Sequence, residues 1–185
     1  MELSGRAALV VIDVQIGFEN PSWGLRNNPM AEQNVARLLS FWRQTRRRIF
    51  HIRHDSPDPA SPLRPRQWGN NFKPPAMPLP GEKVIGKTVN SAFIGTSLEA
   101  DLRGGNHPTV VIVGLTTNHC VSTTARMAGN LGFQTYVVAD ATAAFARRAV
   151  NGRVRPAQEV HDAALSDLHG EFATVVETGS LLDAE

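Results

Sequence analysis

Short apolar runs alternate along this chain with stretches in which apolar residues recur every three to four positions. The runs are brief and rich in β-branched residues, so they read as buried strands, and the periodic stretches read as amphipathic helices. Strands are expected at Ala7 to Ile12, Ile49 to Arg53, Val84 to Ile85 with their neighbours, Thr109 to Leu115, Thr135 to Ala139 and Ala173 to Val176. A helix between the first two has Asn28 as expected N-cap, Pro29 at its first position, and Val35, Leu38, Leu39 and Trp42 on its core face. Further helices are expected over Leu98 to Arg103, Asn118 to Leu131 and Ala157 to Leu168. Apolar strands in alternation with helices imply a parallel sheet covered on both faces. The predicted fold is α/β: one domain over residues 1–185, a doubly wound six-stranded parallel sheet with helices on both faces. Residues 55–82 break the pattern, with prolines at 57, 59, 62, 65, 74, 75, 78 and 80. A loop of that length in a compact domain usually serves a site or an interface.

Composition acts mainly by exclusion. With 185 residues, 42% of them hydrophobic, the chain can bury one full core. A single cysteine rules out an intramolecular disulfide, and no basic segment followed by a long apolar run opens the chain. The expectation is a cytoplasmic protein that does not enter a membrane. The net charge is only +2, and the densest basic run, Arg46-Arg47-Arg48, closes a predicted helix, where cations are favoured. No aromatic platform accompanies it, so nucleic acid is not an expected partner.

Ligands of open α/β sheets bind beyond the carboxyl ends of the strands. Three reactive residues fall there: Asp13 ends ALVVID, Lys87 follows the Val84-Ile85 run, and Cys120 follows VVIVGL within the polar stretch TTNHC. A carboxylate, an ammonium and a thiol brought together suit acyl transfer, with Asp13 as general base, Lys87 holding charge and Cys120 as nucleophile. Cys120 is expected in the first turn of the helix that carries Val121, Ala125, Ala128 and Leu131, where free N–H groups and the dipole would lower its pKa.

The blocks ALVVIDVQIGF, GKTVNSAF and VVIVGLTTNHCVSTTARMAGNLGF resemble those of the isochorismatase-like cysteine hydrolases over nearly the whole chain. The resemblance implies an Asp-Lys-Cys triad on Asp13, Lys87 and Cys120, a cis peptide at Leu115-Thr116, and an oxyanion hole from the N–H groups of Thr116 and Cys120. It implies hydrolysis of a small amide, lactam or ureido compound. Nicotinamidases of that superfamily carry a metal-binding Asp-x-His pair after the second strand, where this chain reads HIRHDSPDPASPL. His51 and His54 should lie on opposite faces of the strand, so neither a metal nor another cofactor is expected. Self-association into a homo-oligomer, a dimer or tetramer, is expected from the family's habit, the Pro-rich loop and the loop residues Trp23 and Trp68.

Around the triad, Gln15, Phe18, Trp23, His54, Asn90, Phe93 and Asn118 are candidates for substrate contact, with capping or packing as the alternative for each. Specificity is expected in the Pro-rich loop and in residues 14–25 and 141–156. His119 is next to Cys120 and so should point about 100° away from it. Asp140 is expected to cap a turn. Two other functions fit parts of the chain. Gly81 to Thr88, GEKVIGKT, satisfies the phosphate-loop pattern, but β-branched residues sit inside it and prolines precede it. A scaffold protein on the same fold would keep an inert Cys120.

Overall fold

The computed structural model describes residues 3–182. The six expected strands form one parallel sheet. They are β1 (Ala8–Ile12), β2 (Ile49–His54), β3 (Lys83–Lys87), β4 (Thr109–Leu115), β5 (Gln134–Ala143) and, after a two-stranded ribbon of β6 (Arg147–Arg148) and β7 (Val154–Arg155), β8 (Thr174–Val176). Their order is β3-β2-β1-β4-β5-β8. The helices are α1 (Ala31–Gln44), α2 (Leu98–Gly104), α3 (Ser122–Asn130), α4 (Ala157–Leu168) and α5 (Thr178–Leu182). None of them is long and apolar enough to cross a membrane.

Alternation along each strand explains the double winding. Val10, Ile12, Phe50, Ile52 and Ile112 face Leu98, Leu102, Val121, Ala125, Leu165 and Leu168 of one helical layer. Leu9, Val11, Val111 and Val113 face Val35, Leu38, Leu39, Trp42 and Leu181 of the other. The indole N–H of fully buried Trp42 donates to the Ala7 carbonyl at 3.0 Å, which ties α1 to the start of β1.

Two local expectations are corrected. Asn28 is not an N-cap and Pro29 is not in the helix, because α1 begins at Ala31. Asn28 adopts φ 44° and its side-chain amide donates to the carbonyls of Ala139 and Thr142. The β4–β5 register shifts there, between Ile112 and Gly114, and the bulge in β5 releases carbonyls from the ladder for Asn28 to take. The expected helix from Asn118 to Leu131 divides into a π-helical turn, Thr117–Val121, followed by α3, so Cys120 precedes the α-helix proper. In the stretch resembling a phosphate loop, Val84 to Gly86 lie in β3 and the next helix begins only at Leu98, so no helix N-terminus faces that loop. Asp140 does act as a cap: its carboxylate accepts the N–H and hydroxyl of Thr178 at 2.8 Å each, at the start of α5.

Gly114 lets β1 and β4 approach where the site is built. It pairs with Ile12 at φ 112°, and a Cβ there would collide with the Ile12 backbone. Gly114→Ala is expected to cost about 3 kcal/mol or more, from backbone clash and left-handed strain together. Denaturant titration checks this, and a midpoint unchanged from the parent protein would contradict it.

Candidate active site

The sheet order reverses at β1 and β4, since the chain winds from β1 toward β3 on one side and from β4 toward β8 on the other. A crevice opens at such a switch point beyond the carboxyl ends of the strands. Asp13 leaves β1 there with φ 50°, a left-handed conformation that Asp tolerates better than most residues and that turns the chain sharply out of the strand. Cys120 follows β4 by way of a cis peptide at Leu115-Thr116 and the π-helical turn. Lys87 ends β3, two strands from β1, and its buried stem crosses the end of β2.

The sequence separates these groups and the fold joins them. Lys87 Nζ donates to Asp13 Oδ2 at 2.6 Å, with both side chains fully shielded from solvent. It also donates to His54 Nδ1 at 2.9 Å. Accepting at Nδ1 fixes His54 as the neutral tautomer with its proton on Nε2. Burial and the Lys87 charge push the imidazole down to about 4. The donor atoms of Asp13, His54 and Cys120 lie within 4.8 Å of one another. Asp13 Oδ1, fully buried, has no hydrogen-bond partner among the described residues. Such an orphan is costly and rare outside functional sites.

Electrostatics correct the expectation of a low thiol pKa. Cys120 is only 7% exposed. Burial first, then the Asp13 carboxylate, raise its pKa to about 12, against the opposing pull of Lys87. The dipole of a single π turn does not outweigh that desolvation. Burial also raises the Asp13 pKa, and Lys87 opposes this without cancelling it. The resting pair is a thiol beside a carboxylate of enhanced basicity.

Other sequence candidates divide into those near the thiol or an adjacent cleft and those used for support. Asn90 Oδ1 is 3.8 Å from Cys120 Sγ. Trp23 and Asn118 line a cleft of about 540 Å³ together with Ser61, Pro62, Thr116, His119, Phe145, Arg147 and Arg148. Cys120 itself is not part of that lining, whereas Thr116, at the cis peptide, is. The segments expected to set specificity therefore meet: residues 14–25, the Pro-rich loop and the ribbon all contribute to one wall or another. Gln15, by contrast, is buried and spends its amide on backbone, donating to the carbonyls of His54 and Asn70 and accepting the His54 N–H at 2.8 Å. It holds the His54 backbone in place. Phe18 is buried against Trp23 and Phe145, with ring centroids at 5.1 and 6.2 Å. Phe93 stacks on Phe133 at 6.0 Å and packs against the core. His51 turns away from the cluster to Glu82, 2.8 Å from its Nε2, so the two histidines diverge as expected. His119 bonds with the Thr116 hydroxyl at 3.2 Å. Sequence reasoning did not single out Phe145, Arg147 or Arg148, whose only signal was their place after the fifth strand.

Fold and site define a doubly wound α/β protein in which a carboxylate, an ammonium and a thiol converge at the switch point. The chain belongs to the isochorismatase family, whose domain matches residues 7–180. It is 46% identical over 178 residues to the isochorismatase family protein YrdC of Bacillus subtilis, covering 96% of this chain and 95% of that one. A solved isochorismatase family structure from Chromobacterium violaceum superposes with a TM-score of 0.97 at 45% identity, covering 100% of this chain and 96% of that one. Nicotinamidase 3 of Arabidopsis thaliana is 28% identical over 188 residues, covering 95% of this chain and 86% of that one.

Proposed function

We propose that this protein is a cysteine hydrolase that cleaves a C–N bond of a small amide, lactam or ureido compound through an acyl-thioester on Cys120. The observation that carries this reading is the Asp13 carboxylate, with one oxygen unpartnered and the other held by Lys87, within 4.8 Å of the Cys120 thiol. Because the thiol is protonated at neutral pH, attack requires a base, and Asp13 takes the proton as Sγ bonds to the carbonyl carbon. The backbone N–H groups of Thr116 and Cys120 hold the resulting oxyanion. Asp13 then gives its proton to the leaving nitrogen, the C–N bond breaks, and the acyl group remains on sulfur. Water, deprotonated by Asp13, attacks the thioester; the acid departs and the sulfur recovers a proton. Lys87, donating to Asp13 Oδ2, favours the carboxylate each time Asp13 passes its proton on. Family membership supports a hydrolase, and the amide chemistry in the name of the nicotinamidase relative supports the bond type.

Asp13, His54 and Cys120 offer three metal-ligating atoms, but the Lys87 ammonium is already bonded to two of those residues and places a positive charge where a cation would bind. The reading is therefore metal-independent, and chelators should leave turnover unchanged. A cytoplasmic homo-oligomer acting on a small molecule completes it.

The test pairs turnover on a panel of amides, lactams and carbamoyl compounds with intact-mass analysis after acid quench. The expected result is turnover together with an acyl adduct on Cys120. Iodoacetamide should alkylate Cys120 more slowly than free cysteine near neutral pH, and faster as pH rises, because the thiol is held near 12. Turnover that survives in Cys120→Ala would overturn the reading.

A further inference from the structure

The π-helical turn that carries Cys120 is too short to hold its own shape, since a single turn forms too few internal hydrogen bonds to offset the ordering of its residues. Its two ends are fixed from outside. At the far end, Val121 is fully buried in the core. At the near end, Thr117 is equally buried, and its hydroxyl lies 2.8 Å from Nδ1 of His161, which α4 brings in from 44 residues away. His161 shares the core face of α4 with Val160, Leu165 and Leu168 and is only 3% exposed. A leucine would fill that place without the cost of burying an imidazole, about 1 to 3 kcal/mol unless the ring is hydrogen-bonded. The tautomer follows from the other ring nitrogen. Nε2 faces the side-chain nitrogen of Asn28 at 3.5 Å, and that nitrogen is a donor whose hydrogens go to the carbonyls of Ala139 and Thr142. An N–H at Nε2 would meet another donor, so the proton sits on Nδ1 and is donated to the Thr117 oxygen. Burial lowers the pKa of the ring, against the pull of Asp162, and keeps it neutral.

We infer that His161 is a positioning residue for hydrolysis, whose bond to Thr117 sets the nucleophile turn so that the Cys120 thiol meets Asp13 and the Thr116 and Cys120 N–H groups converge on one oxyanion. This rests on the hydrolase reading and adds to it a support that acts through Thr117. The effect is transmitted through the backbone. Thr117 follows one oxyanion donor, Thr116, directly, and the Thr116 carbonyl accepts the N–H groups of His119 and Val121 on either side of Cys120, at 3.1 and 3.2 Å. A shift at Thr117 therefore moves both donors and the sulfur together. Asn28 extends the support to the β5 bulge, so that α4, β5 and the turn are joined through buried polar groups.

The experiment compares the parent protein with His161→Leu, His161→Asn, Thr117→Val and the double variant Thr117→Val/His161→Leu, each assayed well below its own melting temperature on the best substrate of the panel. His161→Leu and Thr117→Val should each lower kcat by roughly 10- to 100-fold with KM nearly unchanged, the loss expected when reacting groups are misplaced by about 1 Å. The double variant should be no slower than the worse single one, because both changes remove the same bond. His161→Asn should recover most of the loss, since its amide nitrogen stands where Nδ1 stood and can donate to Thr117. Thr117→Val keeps the shape of the side chain and leaves α4 untouched, so it decides the matter if His161→Leu does not fold. Lower melting temperatures with parental kcat, or a loss in kcat that His161→Asn does not recover, would reduce His161 to a packing residue and leave the hydrolase reading intact. If nothing on the panel is hydrolysed, alkylation of Cys120 by iodoacetamide near neutral pH decides the inference separately. Released from its buried place beside Asp13, the thiol should react on the order of 10-fold faster in His161→Leu and Thr117→Val, and at the parental rate in His161→Asn. That pattern without turnover upholds the positioning role and sinks the hydrolase reading, whereas parental alkylation in all variants sinks both.

Discussion

Cys120→Ala and Asp13→Asn should each remove amide turnover by on the order of 10⁴-fold or more, and the double variant should be no slower than either alone. The reason lies in the thiol. Burial and the neighbouring carboxylate hold it near 12, so almost no thiolate exists at neutral pH and Cys120 has no reactivity of its own to retain when the base is gone. Nucleophile and base therefore fail as one unit. The pH profile follows the same logic. Asp13 must be ionised to act, its pKa is raised by burial, and kcat/KM should climb with pH through that raised value and then level, with no further rise from the thiol in the neutral range. The two variants differ in stability. Cys120→Ala removes a small apolar side chain and should melt near the parent, while Asp13→Asn leaves the Lys87 ammonium buried without its counter-charge and should melt lower. Steady-state kinetics and thermal melts on the three variants check this. A double variant well below both singles, while still above the uncatalysed rate, would show that Cys120 and Asp13 act independently.

The parts of this molecule legible from sequence are those set by local pattern. Six runs became six parallel strands in the expected places, most plainly the central strands β1 and β4, whose burial on both faces leaves little choice of residue. The positions of Asp13, Lys87 and Cys120 at or just beyond strand ends could be read in the same way, and the cis peptide at Leu115-Thr116 followed from family resemblance. What could not be read depended on partners distant in sequence. Asn28 has every local mark of an N-cap, yet carbonyls freed by a bulge more than 100 residues away bind it instead. Gln15 looked available to substrate until the backbone of residues 54 and 70 took its amide. The thiol pKa was misjudged for a related reason, since helix-terminus arguments weigh dipoles, whereas the desolvation that dominates depends on the whole fold packed around Cys120. His54 acquired a definite place only when Lys87 was found donating to it.

That contact makes Lys87 the residue whose loss should change most at once. Lys87→Met keeps the length of the stem but removes the ammonium that holds Asp13 Oδ2 and His54 Nδ1. An unpaired carboxylate in a fully buried site costs about 3 to 5 kcal/mol, so the variant should be markedly less stable near neutral pH. Asp13 can escape the penalty by taking up a proton. Without Lys87 its folded-state pKa rises further above the unfolded value of about 3.9. The folded protein then holds a proton that the unfolded chain releases, so stability falls as pH rises from the unfolded to the folded pKa. Lys87→Met should therefore approach the parent's stability in acid and depart from it on the way to neutrality. Asp13→Asn/Lys87→Met should be more stable at neutral pH than either single variant's cost predicts, because the pair is removed together. Activity offers no such rescue: a protonated Asp13 cannot take the thiol proton, and turnover should be lost with the single variant at neutral pH. Chemical denaturation of the parent, both single variants and the double variant at pH 5 and pH 8 measures the coupling. A Lys87→Met penalty that is independent of pH, or exactly additive with Asp13→Asn, would show that the buried pair is not the link between stability and catalysis in this site.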